Sequence, residues 1–153
     1  MTPPKKLRVL FVCLGNSCRS PMAEAIARQD APDLWEVSSG GLTPLGYIAE
    51  PTIDTLVKNK YSAAGLTSKA IMHAHWQEVD LIINMSGFAK EQVFEDSEKV
   101  EDWYVEDPFV SDPETYQRIF EEIQTRIRAL AARLTATAKA RTSGIKPRKA
   151  RKA

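Results

Sequence analysis

A short loop near the start of the chain joins a cysteine to an arginine through five intervening residues. It reads Cys13-Leu14-Gly15-Asn16-Ser17-Cys18-Arg19-Ser20 and is called the anion loop below. A thiolate is a strong nucleophile, and a guanidinium offers a planar, permanently charged pair of donors to two oxygens of an oxyanion. The backbone N–H groups of such a loop can turn inward around the same group. The pattern predicts a nest for phosphate, with the Cys13 thiolate placed for in-line attack on phosphorus.

Three further residues of the anion loop have properties that this nest needs. Gly15 allows a tight backbone turn, and Asn16 tolerates a left-handed conformation that most residues resist. The Ser20 hydroxyl is expected to cap the following helix and to donate a hydrogen bond to the Cys13 sulfur. That donation and the charge of Arg19 favour the thiolate form of Cys13.

The elements on either side of the loop are predicted to be a buried strand and a helix. Leu7-Arg8-Val9-Leu10-Phe11-Val12 is a short, β-rich apolar run. A helical pattern then opens with Ser20 as N-cap, Pro21 at the first helical position and Glu24 in the first turn. The positive end of this helix would point at the nest. Strand, tight loop and helix together form the start of a βαβ unit.

Strand and helix patterns continue to alternate along the chain. Strands are predicted at residues 35–39, 80–85 and 99–104, and helices at residues 51–60, 86–94 and from Asp112 to about Leu134. Such alternation implies a parallel sheet that is covered on both faces. We therefore expect an α/β fold of three layers, α/β/α, with a central four-stranded parallel sheet. The anion loop, between the first strand and the first helix, lies at the carboxyl end of the sheet, where ligands bind in such folds.

The composition is typical of one soluble globular domain. Hydrophobic residues make up 43% of the 153 residues, charged residues 27%, and the formal net charge is +1. No apolar run approaches the roughly 18–20 residues that span a membrane, so a cytoplasmic protein without membrane partners is expected. We assign residues 1–138 to the domain and residues 139–153, which hold seven Lys or Arg and no acid, to a basic, disordered tail. No nucleic-acid partner is expected.

The two cysteines of the chain are too close in sequence for a useful disulfide framework. A zinc site would need more ligands, and the only histidines, His73 and His75, are far from the cysteine pair. Reactivity or core filling remains as the reason for the cysteines. No metal or organic cofactor is expected.

The segment from Val12 to Glu24 resembles the signature of the low-molecular-weight protein tyrosine phosphatases, and the similarity extends over about Lys6 to Leu134. The resemblance implies that Cys13 is the nucleophile and Arg19 the transition-state clamp. It also implies that Asp107, in the pair Asp107-Pro108, protonates the leaving group. The remaining residues of the nest would contact or shape the substrate site, namely Leu14, Gly15, Asn16, Ser17, Cys18 and Ser20. For Cys18 two roles remain open, a small core residue or a redox partner of Cys13, and the resemblance favours the second.

The sequence departs from the family pattern at three places. Many tyrosine-specific members have Ile at the position of Ser17, where arginine phosphatases of this fold have Thr and arsenate reductases commonly have Ser. Gly46 stands at the position of an aromatic pocket wall, which leaves Tyr47 and Phe109 as the residues expected to enclose a substrate ring. A histidine that supports the loop asparagine in the family is replaced near Ser68-Lys69, and Ser39 is expected to hold Asn16 instead.

Hydrolysis of phosphomonoesters through a cysteinyl-phosphate, on phosphotyrosine proteins, is the function that these residues favour. Ser17 and the sequence Asp-Pro-Phe at residues 107–109 keep a protein-arginine phosphatase as an alternative. Arsenate reduction is another, although the reductases of this fold use two further cysteines and this sequence has none after Cys18. The last alternative is a non-catalytic module that binds phosphate or another oxyanion. The oligomeric state is not predicted.

Overall fold

The central sheet consists of four parallel strands. A computed structural model describes residues 5–142 of the chain, with side chains through residue 140. The strands are β1 (Leu7–Cys13), β2 (Trp35–Gly41), β3 (Leu81–Asn84) and β4 (Val100–Asp102), in the spatial order β2-β1-β3-β4. All three neighbouring pairs are parallel. The predicted four-stranded parallel sheet is thus confirmed.

Helices and short 3-10 segments cover the two faces of this sheet. The helices are α1 (Arg19–Asp30), α2 (Glu50–Lys58), α3 (Lys90–Val93) and α4 (Pro113–Thr142). Helices α1, α2 and α4 form one core with the side chains of alternate strand residues, among them Val9 and Phe11. On the opposite face, Leu10 and Val12 pack with Phe94 and with residues of the 3-10 segments at 71–78. The alternation along β1 explains why this strand reads as a continuous apolar run, and the three layers agree with the prediction.

Two predicted helix starts have different outcomes. Asp112 is the N-cap of α4, as predicted, and its Oδ1 accepts a hydrogen bond of 2.8 Å from the Thr115 N–H. The assignment of Ser20 as N-cap of α1 was wrong, because the helix already begins at Arg19 and no side chain caps it. Glu24 is accordingly beyond the first turn, where α1 has no acid. The Ser20 hydroxyl is free to act in the anion loop instead.

The helix predicted over residues 86–94 is shorter in the structure. Only Lys90–Val93 is helical, because Gly87 has a left-handed φ of +91° and the Asn84 amide donates to the Phe88 carbonyl at 2.7 Å. These features hold residues 86–88 in a bend after β3. Helix α4 is longer than expected and continues to Thr142. Residues 139–142 are therefore helical, and residues 143–153 of the predicted tail lie outside the described residues.

Within residues 5–142, no helix combines the length and apolar character needed to cross a membrane. The same described part of the chain contains no group of three or more His, Cys, Asp or Glu side chains arranged to hold a metal ion.

Candidate active site

The carbonyl groups of the anion loop point away from its centre. The Leu14 carbonyl accepts from the Thr43 N–H at 2.8 Å, and the Gly15 carbonyl accepts from the Leu45 N–H at 3.0 Å. The Ser17 carbonyl accepts from the Thr52 hydroxyl at 3.0 Å. Residues that follow β2 and residues of α2 thus hold the loop from outside.

The N–H groups of residues 14–18 have no acceptor among the described residues. Since the carbonyls are bonded to the surrounding scaffold, the amides are left for a ligand in the concave side of the loop. The N-terminus of α1 adds its positive partial charge at the same place. The loop therefore has the geometry of the anion nest that the sequence predicts.

A chain of hydrogen bonds supports the sulfur of Cys13. The Cys13 Sγ lies 2.9 Å from the Ser20 Oγ, and the Asn16 side-chain amide donates to the same Oγ at 2.8 Å. Either group can be the donor in this contact; when Cys13 acts as a thiolate, the sulfur can only accept and the Ser20 hydroxyl is the donor. Asn16 is fully buried, with a φ of +46°. This confirms the expected left-handed conformation of Asn16 and the contact between Ser20 and Cys13.

The support of Asn16 differs from the prediction. Its Oδ1 accepts a 2.8 Å hydrogen bond from the backbone N–H of Lys69. Ser39, expected to hold Asn16, donates instead to the Glu24 Oε1 at 2.6 Å. Glu24 is buried and also pairs with Arg28 on the next turn of α1. A backbone amide thus supports the loop asparagine at the place where the family resemblance led us to expect a histidine.

Arg19 is buried beneath the nest, where one nitrogen of its guanidinium is hydrogen-bonded to backbone carbonyls. Its Nη1 donates to the Met85 carbonyl at 2.6 Å and to the Val105 carbonyl at 3.1 Å. Its Nε is buried and has no hydrogen-bond partner within residues 5–142. A buried donor without a partner is costly, and here a bound oxyanion would supply the missing acceptor. The Nε–Nη2 edge therefore has the geometry for the bidentate clamp that the sequence predicts.

Asp107 lies beside this clamp at the edge of the site. Its Oδ2 is 3.5 Å from the Arg19 Nη2, and its side chain is 47% exposed. The Phe109 N–H donates to the Asp107 Oδ1 at 3.1 Å. The carboxyl group faces the same cavity as Cys13 and Arg19. The structure thus brings together the three residues for which the sequence predicted catalytic roles.

A cavity of about 180 Å³ opens above the nest. From the anion loop it is lined by Cys13, Leu14, Gly15, Ser17, Cys18 and Arg19, and from other segments by Thr43, Leu45, Asp107 and Phe109. Phe109 forms one wall, as expected. Tyr47 does not line the cavity, and Leu45, which the sequence analysis missed, lines it instead.

Gly15 serves the site in a way that the sequence analysis did not predict. Gly15 does not have a left-handed φ, so the loop does not depend on the backbone freedom of glycine at this position. An added Cβ would lie 3.1 Å from the Leu45 Cγ. Gly15 is therefore needed for the close approach of Leu45 to the loop.

Ser17 and Cys18 are both tied to neighbouring elements. The Ser17 hydroxyl accepts a 2.9 Å hydrogen bond from the Ala49 N–H. The Cys18 sulfur lies 3.3 Å from the Tyr116 hydroxyl of α4. Burial raises the pKa of the Cys18 thiol and also raises that of the Tyr116 hydroxyl. Both cysteines are free in this structure, and Cys18 is a buried, protonated thiol.

Three supporting residues escaped the sequence analysis. Gly41 ends β2 directly against the anion loop, Ser68 donates to the Gly15 carbonyl at 3.1 Å, and Lys69 supplies the amide for Asn16. The position of Gly41 at the carboxyl end of a strand was a usable signal, since ligand sites of parallel sheets lie there. For Ser68 and Lys69 the signal was the family resemblance, which places the replaced histidine near Ser68-Lys69 and so brings this segment to the loop.

Comparison with known proteins agrees with this geometry. Residues 8–140 match the family described as low molecular weight phosphotyrosine protein phosphatase. An arsenate reductase (Arsenate reductase 2) of Staphylococcus epidermidis is 30% identical over 130 residues, which cover 84% of this chain and 98% of that protein. A probable low molecular weight protein-tyrosine-phosphatase of Ralstonia nicotianae, EpsP, is 30% identical, with 84% of this chain and 96% of that protein covered.

A solved structure is similar over nearly the same span. The YwlE arginine phosphatase from Geobacillus stearothermophilus superposes with a TM-score of 0.78 at 27% identity, covering 87% of this chain and 96% of that chain. The match over residues 8–140 spans most of the chain and includes the anion loop and Asp107. The chain belongs to the low molecular weight phosphotyrosine protein phosphatase family and is a cysteine-based phosphatase.

Proposed function

We propose that this protein hydrolyses phosphomonoesters in two steps through a phosphate on Cys13. In the first step the Cys13 thiolate attacks phosphorus, the S–P bond forms and the P–O bond to the leaving group breaks. Protonated Asp107 gives its proton to the departing oxygen. In the second step the Asp107 carboxylate takes a proton from water, whose oxygen attacks phosphorus and releases the Cys13 thiolate and inorganic phosphate.

The unused donors of the site support this assignment most directly. The Arg19 Nε is buried without a partner, and the amides of residues 14–18 lack acceptors in the described structure. A phosphoryl group above Cys13 would satisfy both sets, because its three equatorial oxygens share the charge of the transition state and accept hydrogen bonds. Ser20 stabilises the thiolate when it is the leaving group of the second step, because its hydroxyl is 2.9 Å from the sulfur.

Arg19 also connects the phosphate site to Asp107. The Asp107 carboxyl group lies 3.5 Å from the Arg19 Nη2. A phosphoryl group held by the same guanidinium would therefore lie close to Asp107. This would place the carboxyl group within reach of the departing oxygen, as proton donation requires.

We propose tyrosine-phosphorylated protein as the substrate class. Leu45 and Phe109 form apolar walls on the cavity, and an aromatic ring between them would bury apolar surface on both sides. The related Ralstonia protein carries the same activity in its name. The free cysteines fit a reducing, cytoplasmic location. We retain a catalytic domain over residues 1–138 that needs no metal or organic cofactor.

A protein-arginine phosphatase is the second candidate. Ser17 lines the cavity with a small, polar side chain where the family resemblance associates Ile with tyrosine specificity. The similarity to the arginine phosphatase from Geobacillus stearothermophilus favours the same candidate. A phosphoguanidinium group between Ser17 and Asp107 would place its N–H donors near the Asp107 carboxyl.

Arsenate reduction is favoured by the names of several relatives, among them the Staphylococcus epidermidis protein. Reduction of arsenate to arsenite consumes two electrons, which two thiols supply when they form a disulfide. No cysteine follows Cys18 in this sequence, and the Cys18 thiol is hydrogen-bonded to the Tyr116 hydroxyl. These features favour hydrolysis of phosphate esters over reduction of arsenate.

The test compares hydrolysis of p-nitrophenyl phosphate, a tyrosine-phosphorylated peptide and an arginine-phosphorylated peptide near pH 6 without added metal. The Cys13→Ser variant should lose turnover and still bind phosphate, whereas a non-catalytic module would bind its ligand and show no turnover in either form. A higher kcat/KM on the phosphoarginine peptide would assign the second candidate. If wild type hydrolyses none of the three but oxidises thioredoxin in the presence of arsenate, the phosphatase assignment fails.

A further inference from the structure

Val110 combines two features that are unusual for a valine. Its φ is +64°, in the left-handed region that β-branched residues rarely adopt. It is also 88% exposed, so the described residues bury almost none of its surface. Backbone strain of this kind clusters at functional sites, where the surrounding structure imposes it.

The turn that imposes this conformation directly follows Asp107. The Ser111 N–H donates to the Pro108 carbonyl at 2.8 Å and closes the turn, with Phe109 and Val110 at its centre. The Phe109 N–H is bonded to the Asp107 Oδ1 at 3.1 Å, which holds Phe109 at the cavity. The same turn presents Val110, the next residue, to solvent beside the mouth of the cavity.

Val110 extends a set of exposed apolar residues around this mouth. We call the set the apolar rim, and its members are Leu14, Leu45, Phe109 and Val110. The first three line the cavity and are still 38%, 43% and 41% exposed, respectively. When a phosphorylated side chain fills the cavity, the residues before and after it in the substrate must lie against this rim.

We propose that the apolar rim, and Val110 in particular, binds an apolar side chain next to the phosphorylated residue of a polypeptide substrate. The inference rests on the proposed function, because it assumes that the phosphorylated residue occupies the cavity above Cys13. The charges of the turn favour the same substrate class. Residues 105–113 contain three acids and no basic residue. Arg118 offsets the charge of Glu106, which leaves Asp112 as the acid just after the turn. An acidic neighbour in the substrate would meet like charge there.

The test uses two tyrosine-phosphorylated peptides that differ only in the residues flanking phosphotyrosine, which are Leu in one and Glu in the other. Wild type should have the higher kcat/KM on the Leu peptide. Val110→Gly removes the side chain and should lower kcat/KM on the Leu peptide about four- to fifteenfold, as expected for loss of one or two buried CH₂ equivalents. The ratio of kcat/KM on the Leu peptide to kcat/KM on the Glu peptide should fall accordingly.

The same substitution should raise the unfolding temperature by about 2–4 °C, because glycine adopts a left-handed φ without strain. A loss of activity together with a gain of stability separates binding from folding. Lys60→Gly is the matched control, since Lys60 also has a left-handed φ of +67° and does not line the cavity. It should gain stability and leave both peptide activities unchanged.

An unchanged Leu-to-Glu ratio in Val110→Gly would overturn the inference, and so would a wild-type preference for the Glu peptide. Hydrolysis of p-nitrophenyl phosphate separates this failure from that of the proposed function. If wild type hydrolyses it and the peptide ratio does not respond to Val110, only the role of the rim is lost. If wild type does not hydrolyse it, the proposed function is lost as well. Should phosphoarginine be the better substrate, the same two peptides carrying it give the same test.

Discussion

Replacing Gly41 with alanine would insert a methyl group between the end of β2 and the anion loop. An ideal Cβ at Gly41 lies 2.9 Å from the Asn16 Cβ, 2.9 Å from the Leu14 carbonyl oxygen and 3.0 Å from the Asn16 backbone nitrogen. Two of these atoms belong to the loop backbone, and none is the far end of a flexible side chain. The clash can therefore be relieved only if the loop and the strand move apart.

The size of this movement follows from the contact distances. Ordinary van der Waals contact with a Cβ begins at 3.4 Å, so the shortest contacts must lengthen by about 0.5 Å. A misplacement of about 1 Å in an active site can cost about 100-fold in rate, which gives about tenfold for half that shift. Overpacking of this kind also costs about 1–3 kcal/mol of folding free energy. We expect Gly41→Ala to lose about tenfold in kcat/KM on p-nitrophenyl phosphate.

Gly40→Ala is the matched control on the same strand. Its added Cβ would lie 3.0 Å from the Ile71 Cα and 3.2 Å from the Ile71 nitrogen, and not against the loop. Both variants should lose stability by similar amounts in urea unfolding, about 1–3 kcal/mol, but only Gly41→Ala should lose most of its activity. Equal kinetic losses in the two variants would show that general destabilisation explains the effect. Wild-type kinetics in a destabilised Gly41→Ala would refute the idea that β2 positions the loop.

Three further predictions concern single side chains. Asp107→Asn should slow the first step, release of phenol from phenyl phosphate in a single turnover, by about 10²–10⁴-fold. It should slow the pre-steady-state release of p-nitrophenol much less, because that leaving group needs little protonation, and equal slowing of both first steps would argue against a general acid. Hydrogen bonds from the Thr115 side chain and backbone hold the pKa of Asp112 below its ordinary value of 3.8, so its contribution to stability is complete above that pH and is lost as the pH falls through the lowered pKa. Asp112→Ala should therefore have a lower melting temperature than wild type at pH 7 and a similar one at about pH 2. Asp112→Asn, an equally good N-cap, should stay close to wild type at pH 7. A melting temperature that Asp112→Ala lowers equally at both pH values would contradict this. Because burial raises the pKa of the Cys18 thiol, iodoacetamide at neutral pH should alkylate Cys13 and leave Cys18 intact until the protein is unfolded. Peptide mapping that finds Cys18 alkylated as fast as Cys13 would contradict this prediction.

The sequence was sufficient for the parts of the site that are local in the chain. Cys13, Asn16, Arg19 and Ser20 lie within eight residues, and the strand and helix on either side of them follow from apolar patterning. Their relative positions are determined by one tight turn. The pairing of Ser20 with Cys13 was therefore predictable, although the helix boundary and the N-cap were not, since Ser20 uses its hydroxyl on the sulfur instead of the helix.

The parts of the site that depend on long-range contacts were predicted less well. Leu45, and not Tyr47, forms the wall because the Leu45 N–H is bound to the Gly15 carbonyl, which draws that residue over the loop. The support of Asn16 comes from the backbone of Lys69, which any residue type except proline could supply. A backbone donor leaves no signal in side-chain identity, and for that reason Ser39 was the wrong choice.

The central claim, a phosphate carried on Cys13, can be tested by trapping the intermediate. Asp107→Ala should be mixed with p-nitrophenyl phosphate, quenched in acid within its first turnovers and mapped by mass spectrometry. The good leaving group keeps the first step fast, while loss of the Asp107 carboxylate slows hydrolysis of the S–P bond. We predict one added phosphoryl group on the peptide that contains Cys13, with none in a Cys13→Ala control, which has no nucleophile at that position. Release of p-nitrophenol in full turnover without any phosphorylated peptide would contradict a covalent mechanism.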